Sequence, residues 1–171
     1  FNGYDHVAGR QLGPKTGNAE DFHSYEELFE AYQKQIEYFV NVKVRGSNVI
    51  EKIYADEMPV PFLSILTNDC IKKGKDYNAG GARYNTSYIQ GVGIGTVTDS
   101  LTAIRYNVYD KGKFTMGELK AALLDNFEKE PRVRNLVQNH TPKYGNDDDY
   151  ADNIMRSVFD FYYKCVTGRP N

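Results

Sequence analysis

Hydrophobic positions recur at helical spacing along most of the chain. The glycine-rich start, Phe1–Asp21, predicts a loop. After it, Leu28, Tyr32, Phe39 and Val40 follow one another at spacings close to the 3.6-residue period of a helix. The pattern as a whole therefore predicts a mostly helical chain with one or two strands.

A capping box marks the first helix. Ser24 can cap its N-terminus, and Glu27, three residues later, can reach back to the backbone. We expect this helix to run to about Val44, with Gly46 as its stop. A second helix is expected over Asn48–Ala55.

A glycine-rich stretch follows two prolines. Pro59 and Pro61 break the pattern, and Phe62–Lys73 then predicts a buried helix ended by Gly74. Gly80–Ile94 has β-type side chains between glycines, which predicts a strand.

The remaining pattern is helical. We expect one helix that is capped by Thr98 or Asp99 and runs through Tyr109, and a second that begins at the Thr115–Glu118 capping box and runs through Phe127. A short helix is expected over Pro131–Asn139, followed by a turn over Pro142–Asn146. The last helix is expected to start near Asp147–Asp149 and to stop at Gly168. No internal repeat or linker interrupts the series.

Composition narrows the class of protein. The 171 residues are 40% hydrophobic and 26% charged, which is typical of a globular domain. A net charge of −2 gives no electrostatic signature of binding to nucleic acid or to an anionic membrane. No apolar run approaches the ~20 residues that a membrane span needs, and no signal peptide is visible. We therefore expect a cytoplasmic protein with no nucleic-acid or membrane partner.

Two local motifs suggest ligands but match no known ligand motif. Gly91–Gly95 alternates glycines, yet residue 96 is threonine where the dinucleotide fingerprint needs a later glycine, so close backbone packing is expected. Asn146–Asp149 is acidic but lacks the alternating ligands of a calcium loop, so we expect it to cap a helix.

The histidines and cysteines suggest no catalytic centre. His6, His23 and His140 are isolated, which favours surface positions over a zinc site. Cys70 and Cys165 have no CxxC spacing and are expected to be reduced thiols packed in the core.

Three polar residues of the glycine-rich run remain as candidates. Asp76, Arg83 and Asp99 could serve a site, but pairing with one another or capping helix ends explains them as well. The residues by themselves therefore reach only a mostly helical domain without a catalytic constellation.

Several ordered sequence blocks resemble one family. They are Leu12–Gly17 with Tyr25–Leu28, Asp69–Cys70, Gly74–Asp76, Gly80–Asn85, Gln90–Gly93, Thr98–Ile104 and Pro142–Asp147. Together they resemble the lyase domain of glycyl radical enzymes, the pyruvate formate-lyase and dehydratase superfamily, over essentially the whole chain.

The resemblance implies a fold and a chemistry. The family fold is a ten-stranded β/α barrel, so the chain would be α/β, a mostly helical segment of that barrel. An activating enzyme that uses S-adenosylmethionine and an iron–sulfur cluster installs a glycyl radical, which passes to a cysteine and then to a small-molecule substrate. The parent would be anaerobic and a homodimer.

Neither radical-bearing motif of the family occurs here. Cys70 stands between Asp69 and Ile71, so it is not in a Gly-Cys-x-Glu motif, and Arg132–Asn135 lacks the glycine of Arg-Val-x-Gly-Tyr. We therefore expect residues 1–171 to form an internal segment of the lyase domain between the cysteine loop and the glycyl radical loop. The resemblance transfers no catalytic, cofactor-binding or metal residue to this chain, which would be inert by itself.

Three functions remain in competition. The dehydratase branch fits best, and Phe1–Gly17 and Asn146–Asp152 resemble its trans-4-hydroxy-L-proline dehydratases. A parent that is a formate C-acetyltransferase (pyruvate formate-lyase) is the second possibility. The third is a stand-alone, non-catalytic binding or structural module derived from the lyase domain. A barrel segment without its neighbours would expose apolar helix faces and would associate or be poorly soluble.

Overall fold

The computed structural model describes residues 2–5 and 7–169. Its regular elements in that range are a short hairpin of two strands and a series of helices: β1 (Tyr4–Asp5), β2 (Arg10–Gln11), α1 (Tyr25–Glu57), α2 (Pro61–Leu66), α3 (Cys70–Lys73), α4 (Ile94–Ile104), α5 (Met116–Leu124), α6 (Pro131–Asn139) and α7 (Asp149–Val166). The mostly helical prediction is confirmed. The predicted loop at the start of the chain instead contains the antiparallel β1–β2 pair, with Tyr4 opposite Gln11.

The chain divides into two compact units. The first comprises Phe1–Tyr38 and Gly91–Thr167, and the second comprises Phe39–Gln90 and Gly168–Asn171. Helix α1 contributes residues to both.

The first unit has a hydrophobic core in two parts. Helix α4 packs against α7, and the first part consists of Tyr25, Leu28, Leu101, Ile154 and Val158. The second part consists of Phe114, Leu119, Ala122 and Val133, from α5, α6 and the loop before them. Burial of these side chains is the main favourable contribution to the stability of this unit.

Helix α1 is one continuous helix, so the predicted stop at Gly46 is wrong. A glycine that ends a helix usually adopts a left-handed conformation, and Gly46 is not among the glycines with positive φ. A Cβ atom added there would meet nothing within 4 Å. Gly46 is therefore an ordinary helical residue, and Asn48–Ala55 continues the same helix.

The predicted buried helix over residues 62–73 is two short helices. Asp69 has φ of 77°, a left-handed conformation that interrupts the chain between α2 and α3. Gly74, with φ of 62°, ends α3 as predicted. The prediction of burial is wrong for α2, where Phe62 is 74% exposed and Leu66 is 69% exposed.

The strand predicted over Gly80–Ile94 is absent. The described residues contain one β-sheet, the β1–β2 hairpin. Tyr84 and Tyr88 are 86% and 83% exposed, and no neighbouring strand pairs with them in the described chain. A strand needs such a neighbour to satisfy its backbone, whatever the β propensity of its side chains.

Helix α4 begins earlier than predicted. Gly93, with φ of 85°, is the residue before its first turn, so Thr98 and Asp99 lie inside the helix and cap nothing at its start. The helix passes into a π-helical segment, Arg105–Asp110, which carries it one residue beyond the predicted end at Tyr109.

The capping box of α5 is confirmed. The Thr115 hydroxyl accepts a hydrogen bond from the Glu118 N–H at 3.1 Å, and the Glu118 carboxylate accepts one from the Thr115 N–H at 2.6 Å. The helix ends at Leu124, before the predicted Phe127, because Asn126 and Phe127 have φ of 56° and 62°. Helix α6 matches its predicted bounds.

No helix in the described part of the chain combines the length and the apolar character that crossing a bilayer requires.

Candidate functional site

Asp76 accepts hydrogen bonds from three donors. Its Oδ2 accepts from the Ser64 hydroxyl at 2.7 Å and from the Val60 N–H at 3.0 Å. Its Oδ1 accepts from the Asn78 N–H at 2.9 Å, which caps the short 3₁₀ turn Tyr77–Ala79. The bond from Ser64, followed by those from the backbone, holds the pKa of Asp76 below its ordinary value. A carboxylate kept ionised in this way is poorly matched to general-acid catalysis at neutral pH.

Arg83 forms a two-point pair with Asp69. Its Nε donates to Asp69 Oδ2 and its Nη2 donates to Asp69 Oδ1, both at 3.0 Å. The hydrogen bonds from Arg83 lower the pKa of Asp69, and those to Asp69 raise the pKa of Arg83. The Arg83 N–H also donates to the Asn68 carbonyl at 3.0 Å. The pair therefore fixes the turn between α2 and α3 to the segment after Gly81.

Asp99 has a structural partner of its own. Its Oδ1 accepts from the N–H of Tyr144 at 2.9 Å, which holds the loop before α7 against α4. Each of the three candidates therefore has structural partners within its own unit, and the simpler interpretation of Asp76, Arg83 and Asp99 as local braces fits their contacts.

Cys70 is a core thiol, as predicted. It is 2% exposed, and a Cβ atom at Gly81 would lie 2.9 Å from its Sγ and 2.1 Å from the carbonyl oxygen of Lys75. Gly81 is thus needed for the close approach of two backbone segments. Cys165 on α7 is half-buried, so it lies at the edge of the core and not inside it as predicted. Both cysteines are free thiols. Neither cysteine fits the family's radical-bearing motif, and no radical step is assigned to this chain.

The remaining motifs have structural roles. His23 and His140 are exposed, as predicted, and His6 lies outside the described residues. Asp148 caps α7 by accepting from the Tyr150 N–H at 2.9 Å. Within residues 2–5 and 7–169, no group of three or more acidic, histidine or cysteine side chains could hold a metal ion.

The alternating glycines pack closely, as expected, at one position. A Cβ atom at Gly91 would lie 3.1 Å from the Tyr162 ring. Gly93 instead supplies the left-handed turn that starts α4. This run therefore shapes the backbone, and its contacts are with the protein itself.

The structure reveals a charged aromatic cluster that the sequence pattern does not predict. The guanidinium of Arg105, in the π-helical segment, lies 4.8 Å from the centre of the Tyr25 ring and 5.5 Å from that of Tyr150. The Tyr150 hydroxyl donates to Asp110 at 2.7 Å, and Asp110 lies 3.8 Å from Arg105 Nε. These residues come from three elements that are far apart in the sequence, so no local sequence pattern predicts the cluster.

This cluster is suited to holding structure. Burial raises the pKa of Tyr25 to about 12 and, with the hydrogen bond to Asp110, raises the pKa of Tyr150 as well. Both phenols therefore stay protonated at neutral pH, and a cation over aromatic rings adds stability. π-helical segments are frequent at functional sites, but Arg105 and Asp110 of this one contact Tyr25 and Tyr150 of the same chain.

The second unit contains two neighbouring polar cavities of about 360 and 290 Å³. Both are lined by Glu51, Asn78 and Asn85, and Ser87 donates a hydrogen bond to Glu51 in the smaller one. Carboxamides can hold a polar group, yet neither lining includes a cysteine or a histidine. Neither lining therefore holds a cysteine–histidine pair, and the smaller cavity holds a hydroxyl–carboxylate pair, Ser87 with Glu51.

The chain is similar to a known protein family and to proteins of known activity. The family described as pyruvate formate lyase-like matches residues 1–171. The chain is 60% identical over 169 residues to trans-4-hydroxy-L-proline dehydratase of Clostridioides difficile, which covers 99% of this chain and 21% of that protein.

Solved structures agree in fold. The crystal structure of the C. difficile hydroxyproline dehydratase, with its substrate trans-4-hydroxy-L-proline bound, matches 99% of this chain and 22% of its own with a TM-score of 0.94. The B12-independent glycerol dehydratase of Clostridium butyricum matches with a TM-score of 0.90 at 40% identity, over 99% of this chain and 21% of its own. The chain therefore spans about a fifth of the length of the relatives it matches.

Proposed function

The chain belongs to the pyruvate formate lyase-like family, and from that premise we propose that it forms part of the lyase domain of a glycyl radical dehydratase. In this proposal residues 1–171 lie between the loop that carries the catalytic cysteine and the loop that carries the radical glycine. The segment supplies framework, and the reaction is carried out by the complete polypeptide.

The proposed reaction is the dehydration of a small hydroxylated metabolite, with trans-4-hydroxy-L-proline as the preferred substrate. The supporting observation is the 60% identity to the C. difficile hydroxyproline dehydratase, which runs along 99% of this chain. The corresponding identity to the glycerol dehydratase is 40%. The preference therefore rests on similarity along the whole segment, since no substrate-contacting residue is identified in it.

The proposal includes the partners of such an enzyme. When present, the glycyl radical supplies a route to abstract hydrogen from an unactivated C–H bond. A radical S-adenosylmethionine activating enzyme with an iron–sulfur cluster would install it, and the working enzyme would be a cytoplasmic homodimer. The side chains of residues 2–5 and 7–169 contribute packing, helix caps and the braces at Asp76 and Arg83.

The test is a substrate panel with the complete polypeptide. The protein is purified without oxygen, treated with its activating enzyme and S-adenosylmethionine, and examined by electron paramagnetic resonance for a glycine-centred radical. Samples are then supplied with trans-4-hydroxy-L-proline, glycerol, or pyruvate with coenzyme A. We expect water loss from hydroxyproline, with much less turnover of glycerol.

Other outcomes of the panel exclude the proposal in distinct ways. Turnover of glycerol alone would support the assignment as a dehydratase and would exclude trans-4-hydroxy-L-proline as the substrate. Formation of formate from pyruvate would assign the parent to the formate C-acetyltransferases. A complete protein that forms no radical with an activating enzyme proven on a relative would favour a non-catalytic module derived from the lyase domain.

A further inference from the structure

Helix α2 has its polar and apolar sides reversed. Ser64 is its buried residue, 9% exposed, and its hydroxyl both donates to Asp76 and accepts from the Tyr77 N–H at 2.8 Å. At 100° per residue, Phe62 and Leu66 lie about 160° around the helix from Ser64, and Leu63 and Ile65 lie about 100° to either side of it. A surface helix of a globular protein normally shows the reverse arrangement.

Helix α3, which packs against α2, also exposes a large apolar side chain. Cys70 faces inward at 2% exposure, and the next residue, Ile71, is 72% exposed. We call the resulting surface the α2–α3 apolar face. It consists of Phe62 (74% exposed), Leu63 (44%), Ile65 (59%), Leu66 (69%) and Ile71 (72%).

The second unit has a small hydrophobic interior of its own. Both hydrophobic clusters of the described chain are built from residues of the first unit. Over residues 39–90 the buried apolar side chains are few and mostly small: Val40, Val44, Cys70 and Ala82. Five large exposed apolar side chains on two neighbouring helices mark a surface that another part of a protein covers.

We infer that the α2–α3 apolar face is an internal packing surface, covered by a segment of the same polypeptide that lies outside these 171 residues. This inference rests on the proposed function. Relatives that match 99% of this chain are about five times its length, so a continuation of the same polypeptide has ample chain to cover the face.

The size of the face favours an intramolecular occupant over a second copy. Stable interfaces between proteins engage about 20–30 residues on each side, and this face has five large apolar side chains. Association of two molecules also loses translational and rotational freedom, whereas a segment tethered in the same chain loses far less. A short apolar face is sufficient for packing within one polypeptide.

The experiment measures side-chain accessibility in the complete polypeptide. Leu66 is replaced by cysteine (Leu66→Cys), and the rate of its alkylation by N-ethylmaleimide is measured by tandem mass spectrometry, which separates it from Cys70 on the same tryptic peptide. The matched control is Glu128→Cys, an exposed polar position of the first unit on a peptide without a native cysteine. Light scattering fixes the oligomeric state at each protein concentration.

We expect alkylation at position 66 to be slower than at position 128 by about tenfold or more in the native protein, and equal to it in denaturant. Alkylation at position 66 that is as fast in the native protein as in denaturant would overturn the inference. Slow alkylation that becomes fast on dilution, as the protein dissociates, would show that a second copy covers the face. That result would also overturn the inference. Activity with hydroxyproline, measured on the same samples, shows separately whether the proposed function holds.

Discussion

The hydroxyl of Ser64 donates to the carboxylate of Asp76 at 2.7 Å, and this bond connects the middle of α2 to the start of the turn at Tyr77–Ala79. The same hydroxyl accepts from the Tyr77 N–H at 2.8 Å. Two backbone N–H groups, from Val60 and Asn78, complete the shell around the carboxylate. A single ionised side chain thus connects α2 and the residue before it to the turn at Tyr77–Ala79.

Removing this carboxylate should loosen the segments that it joins. In Asp76→Ala the N–H groups of Val60 and Asn78 lose their acceptor, so their hydrogen exchange should become several-fold faster. Exchange measured by nuclear magnetic resonance tests this. Asp160→Ala, which removes an exposed carboxylate of α7, should leave both rates unchanged. Unchanged rates in Asp76→Ala would show that the brace has no role.

The contribution of Asp76 should disappear in acid. Its pKa in the folded chain is below the ordinary value of 3.8, so the folded state binds the proton more weakly than the unfolded state does. The stabilisation is therefore complete above pH 3.8 and is lost as the pH falls below that value and through the folded pKa. Urea unfolding of the wild-type chain and Asp76→Ala across this range should give midpoints that converge in acid. A constant difference between them would contradict the assignment.

The two glycines at 81 and 46 should respond to alanine in opposite ways. At Gly81 the new Cβ would lie 2.1 Å from the Lys75 carbonyl oxygen, so Gly81→Ala must displace backbone and should destabilise the chain. At Gly46 the Cβ meets nothing and the residue is helical, so Gly46→Ala should stabilise by about 0.5–1 kcal/mol. Chemical denaturation of the two variants measures both changes. Equal effects would contradict the close approach at Gly81.

Leu28 should be among the most sensitive positions of the first unit. It is fully buried in the cluster that joins α1, α4 and α7. Leu28→Ala should cost about 2–5 kcal/mol in the free energy of unfolding, through lost burial and the cavity left behind. The control is Val7→Ala, since Val7 is 100% exposed and its change should stay within about 0.5 kcal/mol. Thermal unfolding that shifts equally in both would contradict the assignment of the core.

Features that depend on a few neighbouring residues were predictable from the sequence. The capping box at Thr115 is observed with both of its hydrogen bonds. That at Ser24 is observed with one difference, since Glu27 reaches back to the N–H of His23 at 2.7 Å. Such motifs can be recognised in a single sequence because every group in them lies within a few residues.

Features that depend on distant parts of the chain were not predictable from the sequence. Gly46 is compatible with a helix end and a helix interior, and the surrounding structure selects the interior. Gly80–Ile94 has the side chains of a strand but no strand beside it among the described residues. Helix α2 was expected to be buried because it is apolar, whereas the bond between Ser64 and Asp76 directs its polar side inward.

The candidate residues divide in the same way. Cys70 was correctly placed in the core from its apolar neighbours. The partners of Asp76 and Asp99, by contrast, lie 12 and 45 residues away and could not be read from local spacing. The cluster around Arg105 was missed for the same reason, because its rings come from α1 and α7.

The intact mass of the protein in its native host shows whether these residues belong to a larger lyase. The protein is captured with an antibody raised against residues 1–171, dissociated in denaturant and weighed by mass spectrometry. We predict a mass several times the 19.5 kDa of these residues, as expected of a polypeptide of which they form about a fifth. A mass near 19.5 kDa would contradict the claim and would identify a stand-alone module without the residues that radical chemistry requires.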